Sequence, residues 1–517
     1  MSRLHEHRSK ALLTTVGISI PKGGLAGTAA EARALAEEIG GAVVVKAQVW
    51  LTGRADLGGI RFADDPREAE EAAASLLGTN IGSFAVEQVL VEKKLDIAEQ
   101  FYAGITVDDR ARAPVAIFSR AGGTGIETVA AGSPDRIARH RIDIELGLRP
   151  FEARNLARET GVHGDLLRSL GDVLPKLYRL ARRVDARAAE INPLILTTDG
   201  KLIAADCRIT IDDHAVYRQT DLGIEIAREF DHPATELEKI AWQVEKDDYR
   251  GTFYFIQLDR GFRSGEGVIG FHGAGGGGGM ISMDAAHAAG LKVANYVDTS
   301  GNPPASKVYR AARIILSQPG IDGYFASGSG VASQEQYHSA RGLIKAFLEV
   351  PLSVPAVVRL GGNGEEHALA LLERAAEHLP APLEGYGKDD PAEACALRLR
   401  ELIGSYTPSE KRPSKRLTPR ADKPYRFETV SGGTVTLDHK TCLDCQSKIC
   451  LETCAPNILS LENGVPVLNI SREEAKRGGC TECLACEVEC YLHGNGGGHL
   501  TLPIEGLEAY SATEGVD

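Results

Sequence analysis

The feature that most constrains this 517-residue chain is a concentration of cysteines near its end. Eight of the ten cysteines lie between residues 442 and 490, in the runs C-x2-C-x4-C-x3-C and C-x2-C-x2-C-x3-C. These eight are Cys442, Cys445, Cys450, Cys454, Cys480, Cys483, Cys486 and Cys490. The rest of the chain carries only Cys207 and Cys395, so the pattern disfavours a disulfide framework and favours thiolates that bind a metal cofactor.

The second run has the spacing of a bacterial ferredoxin motif, in which three thiolates of a short loop bind one [4Fe–4S] cluster. The fourth cysteine is expected to start a helix that points away, and in two-cluster ferredoxins it binds the other cluster. The predicted ligands are Cys442, Cys445, Cys450 and Cys490 for one [4Fe–4S] cluster, and Cys454, Cys480, Cys483 and Cys486 for the second. The alternative is a pair of zinc ribbons, but zinc sites rarely use the x2-x2-x3 spacing.

The length allows about three or four domains at roughly 150 residues each. Hydrophobic residues make up 43% of the chain and charged residues 25%, which is typical of a soluble globular enzyme. A net charge of −13 opposes broad binding to nucleic acid, because phosphates repel an acidic surface. No apolar run approaches the roughly 18 residues that span a bilayer. The first residues lack a signal peptide, so we expect a cytoplasmic protein that binds neither nucleic acid nor membrane.

Two segments of the first 230 residues carry candidate ligand-binding residues. Lys46 lies inside an apolar strand predicted over residues 42–49, where a lysine needs an anionic partner. A snorkelling lysine on an edge strand is the alternative. Asn192 and Asp206 lie on adjacent strands of a predicted hairpin, and their oxygens suit Mg²⁺. Hairpins also carry such residues for turn formation, so this second signal is weak alone.

Residues 231 to about 400 alternate strand, glycine-rich turn and helix, which predicts a doubly wound parallel sheet. One predicted strand, residues 267–272, precedes the glycine-rich run 273–279, and a helix is predicted from about Met280 to Ala289. Such turns lie at the carboxyl ends of strands and the amino ends of helices, where backbone N–H groups attract anions.

Several segments occur in the order of one family. They are Leu4-His5-Glu6 with Lys10, the strand 43–49, Gly53-Arg54, Leu90-Val91-Glu92, Glu190-Ile191-Asn192-Pro193-Leu194, and Asp206. This order resembles the ATP-grasp β subunit of succinyl-CoA synthetase and related ADP-forming acyl-CoA ligases, over about residues 1–400.

The resemblance implies an ATP-grasp domain whose Lys46 and Arg54 contact ATP phosphate and act in catalysis. It implies that Gly53 belongs to the phosphate loop and that Glu92 lies at the adenine hinge. Asn192 and Asp206 would hold Mg²⁺.

The second ligase domain of the family receives a phosphohistidine and an acyl group in its glycine turns. The resemblance assigns that role to His272, Gly273, Gly275 and Gly330. For His272, a plain hydrogen-bonded turn histidine is the alternative. The resemblance also implies a separate α-type subunit that binds CoA.

The chain departs from the family at charged positions. The family loop G-R-G-K becomes Gly53-Arg54-Ala55-Asp56, and a later glutamate becomes Gln100. The family run S-T-E-G-G-V-E-I-E becomes the segment 119–127 with two acids lost, and a family asparagine becomes His272. These changes alter charge where nucleotide or the partner subunit would approach.

We therefore predict an α/β protein with four parts. Residues 1–230 form the ATP-grasp domain, and residues 231–405 form a doubly wound, flavodoxin-like CoA-ligase domain. Residues 406–426 form a proline-rich basic linker that is either solvated or docks on an acidic partner. Residues 427–517 form a small α+β ferredoxin-like domain with two [4Fe–4S] clusters.

The predicted function is that of a β-type subunit of an ADP-forming acid–CoA ligase coupled to an iron–sulfur electron-transfer module. Its ligands would be ATP, Mg²⁺, a small carboxylate and CoA as co-substrate, and a flavoprotein or reductase is a further candidate partner. The alternative is an electron-transfer subunit whose ligase-like body is a scaffold or a nucleotide-gated switch. A purely structural iron–sulfur module is a third hypothesis.

Overall fold

The computed structural model of the protein describes residues 2–51, 53–123, 136–224, 232–246, 253–259, 261–328, 330–407 and 421–514. The chain divides into two compact units, Met1–Pro233 and Ala234–Asp517. Across the described ranges, every helix is too short or too polar to span a membrane.

The first unit is built on a seven-stranded antiparallel sheet and a four-stranded antiparallel sheet. The larger sheet has the order Ser2–Arg3, Cys207–Ile211, Ala186–Thr197, Ile97–Asp108, Ala113–Ser119 and Ile137–Arg141, with Leu202–Ala204 also beside Ala186–Thr197. The smaller sheet has the order Gly23–Ala26, Val89–Lys93, Val43–Ala47 and Ile60–Ala63. A short hairpin joins Asn80–Ile81 to Phe84–Ala85. The predicted strand around Lys46 and the predicted hairpin near Asn192 are both present.

Helices pack against both sheets of this unit. They are Glu6–Thr15, Ala29–Ile39, Pro66–Leu76, Pro150–Glu159 and Asp165–Arg183, with 3₁₀ turns at Asp213–Arg218 and Thr220–Leu222. Thr28 begins the second helix with a capping box, since its hydroxyl accepts from the Glu31 N–H while the Glu31 carboxylate accepts from the Thr28 N–H. Buried alanines of the second and third helices share a core with the smaller sheet, which lets these helices approach it closely.

The second unit contains a seven-stranded sheet that is parallel apart from one edge strand. Its order is Tyr254–Gln257, Asn295–Asp298, Val268–Ala274, Gly323–Gly328, Ala356–Arg359 and Leu383–Tyr386, with Lys292–Val293 also beside Val268–Ala274. The helices are Glu236–Lys246, Gly276–Ala288, Ala305–Leu316, Tyr337–Glu349, Glu365–Ala376 and Ala392–Ser405. We name this sheet with its helices the α/β layer. It confirms the predicted doubly wound fold.

The helix after the first glycine turn begins earlier than predicted. It starts at Gly276 rather than near Met280, so part of the glycine run lies inside the helix. Packing explains the glycine at position 279, because a Cβ there would lie 3.2 Å from the Tyr296 hydroxyl and 3.4 Å from the Gly273 Cα. The helix therefore approaches the sheet more closely than a larger residue would allow.

The cysteine-rich end is part of the second unit. Its strands Tyr425–Glu428, Thr434–Leu437 and Gly498–Thr501 form an antiparallel sheet, and Leu459–Glu462 pairs with Val465–Leu468. Its helices are His439–Leu443, Ile449–Glu452, Arg472–Glu474, Ala485–His493 and Leu507–Glu514, with a π turn at Ala475–Gly479. Most of the predicted linker, residues 408–420, lies outside the described residues.

The cysteine-rich end shares one hydrophobic core with the α/β layer. Leu484, Val488 and Leu492 belong to the same buried cluster as Phe347 and Leu372. The boundaries predicted for separate domains remain predictions. In the structure, the described residues of 234–407 and 421–514 belong to one compact unit.

A matched pair of leucines on the helix Ala392–Ser405 tests the packing of the parallel sheet. Leu399 is fully buried, and a Cβ on Gly323 would lie 3.3 Å from its Cδ1, whereas Leu397 is 50% exposed. Leu399→Ala should lower the free energy of unfolding of this unit by about 2–5 kcal/mol in urea titrations. Leu397→Ala should change it by no more than about 0.5 kcal/mol, and equal losses would contradict this packing.

Candidate functional site

Lys46 lies at the centre of a buried network of charges. The strand Val43–Ala47 has a neighbour on each side, so the alternative of an edge-strand lysine is wrong. The Lys46 ammonium lies 2.9 Å from Glu6 Oε1 and 2.9 Å from Glu92 Oε2, and it donates to the Ala205 carbonyl at 2.6 Å. The anionic partners that a lysine in this strand requires are therefore two glutamates of the chain itself.

Lys10 adds a second cation from the first helix. Its ammonium lies 2.8 Å from Glu6 Oε1 and 2.6 Å from Glu92 Oε2, and it also donates to the Ala205 carbonyl. Glu6 and Lys10 meet because residues four apart on a helix share a face. The sequence contains both within the family segment, but neither was predicted to belong to the site. The one sequence signal that pointed to Glu6 was that a buried lysine requires an anionic partner.

Arg54 joins this network from the loop that follows the Lys46 strand. Its Nη2 lies 2.6 Å from Glu6 Oε2 and 2.9 Å from Asp206 Oδ2, and its Nη1 donates to the Ala47 carbonyl at 2.9 Å. Gly53 has a φ of 68°, a conformation that glycine adopts easily at such a turn. Asp56, the acid that replaces a family lysine, is exposed.

The network balances three cations against three carboxylates. They are Lys10, Lys46 and Arg54 against Glu6, Glu92 and Asp206. Burial opposes the charge on Lys46, but the surrounding carboxylates outweigh it and raise the pKa of Lys46. Burial also opposes the charge on Glu6, but the three cations hold the pKa of Glu6 well below its usual range. The Asp206 side chain is 31% exposed, so the network opens to solvent at this residue.

Asn192 and Asp206 lie side by side, but Asp206 lies between the strands Leu202–Ala204 and Cys207–Ile211 rather than on the predicted hairpin strand. The Asn192 N–H donates to the Asp206 carbonyl at 3.2 Å. The Asn192 amide oxygen accepts from the Gly123 N–H at 2.6 Å, and its amide nitrogen donates to the Gly123 carbonyl at 3.1 Å. Two oxygen donors next to solvent fit Mg²⁺, which takes few protein ligands and completes its shell with phosphate and water. Residues 124–127 of the altered acidic run lie outside the described residues.

A pocket opens at the carboxyl ends of the parallel strands in the second unit. Of the residues predicted here, His272 and Gly330 line it, whereas Gly273 and Gly275 flank Ala274, which lines it. Other polar lining residues are Thr299, Ser327, Gln336, Ser339 and Arg359. A Cβ on Gly273 would lie 2.6 Å from the Val297 carbonyl oxygen, so this glycine serves close backbone approach. Residue 329 lies outside the described residues.

His272 is buried and neutral in this pocket. Its Nδ1 lies 2.6 Å from the Tyr324 hydroxyl, and burial lowers the pKa of His272 to about 3. A neutral imidazole has one donor and one acceptor, so the other ring nitrogen can make one more hydrogen bond without carrying charge.

The eight clustered cysteines form two groups in space. Burial is the main reason why the pKa of Cys442 is raised to about 12. The neighbouring thiols of Cys490, Cys450 and Cys445 add to this rise. In the second group, burial raises the pKa of Cys486, followed by the charges of three neighbouring thiols. These are Cys483, Cys480 and Cys454. Thiols of the same predicted set thus lie near one another, but Cys450 also lies near Cys454 of the other set, so the assignment of four thiols to each set stays a prediction. All ten cysteines are free.

One detail of the cysteine prediction is wrong. Cys490 does not start a helix, because the helix Ala485–His493 begins five residues earlier and already contains Cys486. The two cysteines are four residues apart, so they lie on one face, one turn from each other. One short helix therefore contributes a thiol to each group.

Glycines surround the first group of thiols. A Cβ on Gly497 would lie 2.9 Å from the Cys442 sulfur, and a Cβ on Gly494 would lie 3.5 Å from the Cys445 sulfur. Space is thus kept free of side chains beside these sulfurs. Burial opposes a charge on Cys445, but backbone N–H groups and the Ser447 hydroxyl outweigh it and lower the pKa of this thiol.

Within the described residues, no three His, Cys, Asp or Glu side chains converge on a point that could hold a single metal ion. A structural zinc ion needs four such ligands at about 2.0–2.3 Å from one point. A [4Fe–4S] cluster takes one thiolate on each of four irons, so its ligands surround a larger volume. Eight free thiols, with glycines beside two of them, supply the type and number of donors that two such clusters take.

The buried His272 makes the stability of the second unit depend on pH. Its pKa is about 3 in the folded protein and near 6.5 when unfolded, so below pH 6.5 the unfolded state binds more protons and stability falls. From pH 7 to pH 5, His272 should remove about 2 kcal/mol of unfolding free energy. Urea titrations of His272→Asn should lack this component, and an unchanged pH dependence would contradict the assignment.

Comparison with known proteins supports the ATP-grasp α/β fold. A family model described as an ATP-grasp domain matches residues 3–196. The chain is 40% identical over 370 residues to the GDP-forming succinate–CoA ligase subunit β of Thermus thermophilus, covering 72% of this chain and 93% of that protein. It is 36% identical over 372 residues to the ADP-forming succinate–CoA ligase subunit β of Deinococcus radiodurans, covering 72% and 92%.

A solved structure of ATP citrate lyase from Methanothrix soehngenii, in complex with citrate and coenzyme A, shares the fold. Its TM-score is 0.64 at 20% identity, and the match covers 77% of this chain and 99% of that chain. The sequence identity to the ligase subunits extends over nearly their whole length. The chain therefore belongs to the family of succinate–CoA ligase β subunits, which are acid–thiol ligases with an ATP-grasp domain.

Proposed function

We propose that the chain is the β-type subunit of an ADP-forming acid–CoA ligase that also carries two [4Fe–4S] clusters. The reaction would convert ATP, a small carboxylate and CoA into acyl-CoA, ADP and phosphate. The observation that carries the proposal is the buried network of Lys46, Arg54 and Asp206, which opens to solvent beside Asn192. An α-type partner subunit would bind CoA and carry the histidine that accepts the γ-phosphoryl group.

In this reaction the cations offset charge on the phosphates. Lys46 and Arg54 are held in place by carboxylates before nucleotide binds, so little reorganisation is needed when the phosphoryl group transfers. Asp206 and Asn192 would hold Mg²⁺, which bridges phosphate oxygens and neutralises their charge. Gly53 allows the loop backbone to approach the phosphates. The assignment of Glu92 to the adenine hinge stays a prediction, since its carboxylate contacts lysine ammonium groups.

In the second unit, the pocket would receive the phosphohistidine and the acyl group. His272 offers a neutral hydrogen-bonding nitrogen, and the glycine turns offer backbone N–H groups. His272 replaces a family asparagine, so the acid bound here can differ from the one that the relatives are named for. The turn of Gly273 and Gly275 keeps the backbone close to its neighbours.

The clusters supply electron transfer when bound, and the chain's part is to hold them through the eight thiols. An electron-transfer role fits a flavoprotein or reductase as a further partner. Free thiols and iron–sulfur assembly favour a reducing compartment, so we place the protein in the cytoplasm.

A second candidate function is an electron-transfer subunit whose ligase body is a scaffold or a nucleotide-gated switch. It is favoured by Asp56, which puts an acid where the family loop has a lysine. It is also favoured by the charge balance of the network, in which Lys10, Lys46 and Arg54 already have carboxylate partners. Carboxylate- and CoA-dependent release of ADP, measured with an α-type partner, separates the two functions.

Lys46→Met tests the nucleotide site. Loss of one charge-assisted contact to phosphate, about 1.5–3 kcal/mol, should weaken ATP binding by roughly tenfold or more in calorimetry. Lys22→Met is the control, because Lys22 belongs to the same unit but is 56% exposed, and it should bind ATP normally. Circular dichroism checks folding of the variant, and Lys46→Arg keeps the charge if Lys46→Met unfolds. Equal ATP affinity in folded Lys46→Met and in Lys22→Met would contradict the role of Lys46.

Two serine variants test the cysteine groups. Each [4Fe–4S] cluster holds four irons, so anaerobically purified protein should contain about 8 iron atoms per chain. Cys442→Ser and Cys480→Ser should each lower this to about 4, because each removes a ligand of one cluster. Cys395→Ser is the control, since this buried cysteine lies outside both groups. Stoichiometric zinc, or no acid-labile sulfide, would contradict the assignment.

A further inference from the structure

The helix Ala485–His493, which we name the cysteine helix, carries Cys486 and Cys490 and is held by buried charges. Glu489 lies between its two cysteines and is 1% exposed. Its Oε1 accepts from Arg341 Nη2 at 2.7 Å and from Arg341 Nε at 3.1 Å. His367 Nε2 lies 3.0 Å from the same oxygen. The carboxylate therefore joins the cysteine helix to two helices of the α/β layer.

A second set of contacts runs beside the first. Lys345 lies 2.8 Å from Glu487, the residue after Cys486, and 3.2 Å from Glu349. Further along, Arg374 Nε donates to the Leu492 carbonyl at 3.0 Å. These contacts add to the shared hydrophobic core, so both polar and apolar contacts fix the cysteine helix on the α/β layer.

The two helices that hold the cysteine helix also begin at the pocket that contains His272. We name Tyr337–Glu349 and Glu365–Ala376 the pocket helices. Gln336, Ser339 and Leu343 at the start of the first line the pocket, and so does Gly361 before the second. A Cβ on Gly364 would lie 3.1 Å from the Tyr337 ring, so the two helix starts touch.

Arg341 connects the pocket end to the cysteine helix. Its guanidinium stacks on the Tyr337 ring at 4.7 Å from the centroid, and it binds Glu489 on the cysteine helix. Its Nη1 is buried and has no hydrogen-bond partner among the described residues. A buried N–H without an acceptor is costly. Burial and Glu335 raise the pKa of Tyr337, Arg341 lowers it, and Cys483 raises it by a smaller effect, so the Cys483 thiol lies near the ring on which Arg341 stacks. A cluster sulfur would supply the missing acceptor.

We propose that Arg341 couples the pocket to the cluster held by Cys454, Cys480, Cys483 and Cys486. Arg341 Nη1, which lacks an acceptor among the described residues, would donate to a sulfur of that cluster, while Nε and Nη2 hold Glu489. Arg341 is a positioning residue, because it acts on the pocket through the first pocket helix. This inference rests on the proposed function, in which these thiols hold a cluster and the pocket serves the ligase reaction.

The physical reason for coupling is the length of the cysteine helix. It has 9 residues, fewer than the about 12–15 that an isolated helix needs in water, so it depends on its anchors, which are the cluster thiolates, the buried charges and the shared core. Without iron, Cys486 and Cys490 no longer anchor it. Glu489 can then leave Arg341, and a buried arginine without its partner is strongly unfavourable. The starts of the pocket helices should therefore loosen, and ligand binding in the pocket becomes dependent on cluster assembly.

Hydrogen exchange on the full chain tests this coupling, with the iron-loaded and iron-free forms compared. Removal of iron should speed exchange at residues 336–343 and 361–367 by on the order of tenfold or more, as expected when a protected segment opens locally. Equal exchange there in both forms would overturn the proposal, even if residues 421–514 unfold.

Arg341→Met provides the second arm, in the iron-loaded form. It should keep its iron, show fast exchange at residues 336–343, and have a lower midpoint potential for one cluster, because the potential depends on hydrogen bonds to the sulfurs. Arg313→Met is the matched control, since Arg313 of the same unit is 11% exposed and pairs with Glu349 rather than with the cysteine helix. Potentials and exchange equal to the control would overturn the proposal.

The arms separate this inference from the proposed function. If the purified chain contains no iron, two proposals are wrong: that the thiols hold clusters, and that one cluster is coupled to the pocket. If no ADP is released but hydrogen exchange still depends on iron, the proposed ligase reaction is wrong and the coupling is supported.

Discussion

The first unit of the chain depends on the ion pairs that the Glu6 carboxylate makes with three buried cations. It contacts Lys10, Lys46 and Arg54, which come from a helix, a strand and a loop. Each cation alone would be too costly to bury, and each is allowed only because the carboxylates are in place. The pKa shifts of Glu6 and Lys46 express the same mutual dependence, since each group keeps the other ionised. A preformed array of charge with one open side is what a phosphate-binding site requires.

Much of the architecture followed from local patterns. Alternation of strands, glycine turns and helices predicted the parallel sheet, and the T-x-x-E sequence at Thr28 forms the capping box with which a helix begins. The spacing of the cysteines predicted two sets of thiols, and the assignment of each set to a cluster stays a prediction. The start of the helix at Gly276 was missed, because glycine normally disfavours helices and only close packing on the sheet explains it here.

The contacts that define the site were beyond the reach of sequence patterns. Lys10 and Glu92 are 82 residues apart, and Arg341 and Glu489 are 148 residues apart. No periodicity links residues at such separations, so their meeting depends on how whole layers pack. The sequence indicated that Lys46 needed an anionic partner, but it did not indicate which carboxylates would serve.

The shared core of the second unit has a practical consequence. A domain that is joined to its neighbour only by a tether can be cut out and attached to another protein. Here Leu484, Val488 and Leu492 lie in the same interior as Phe347, and Glu489 needs a guanidinium from the α/β layer. The cysteine-rich segment is therefore not an independently transferable domain. Without the α/β layer it would expose apolar surface and leave the Glu489 carboxylate without its arginine, so a functional fusion must include the α/β layer.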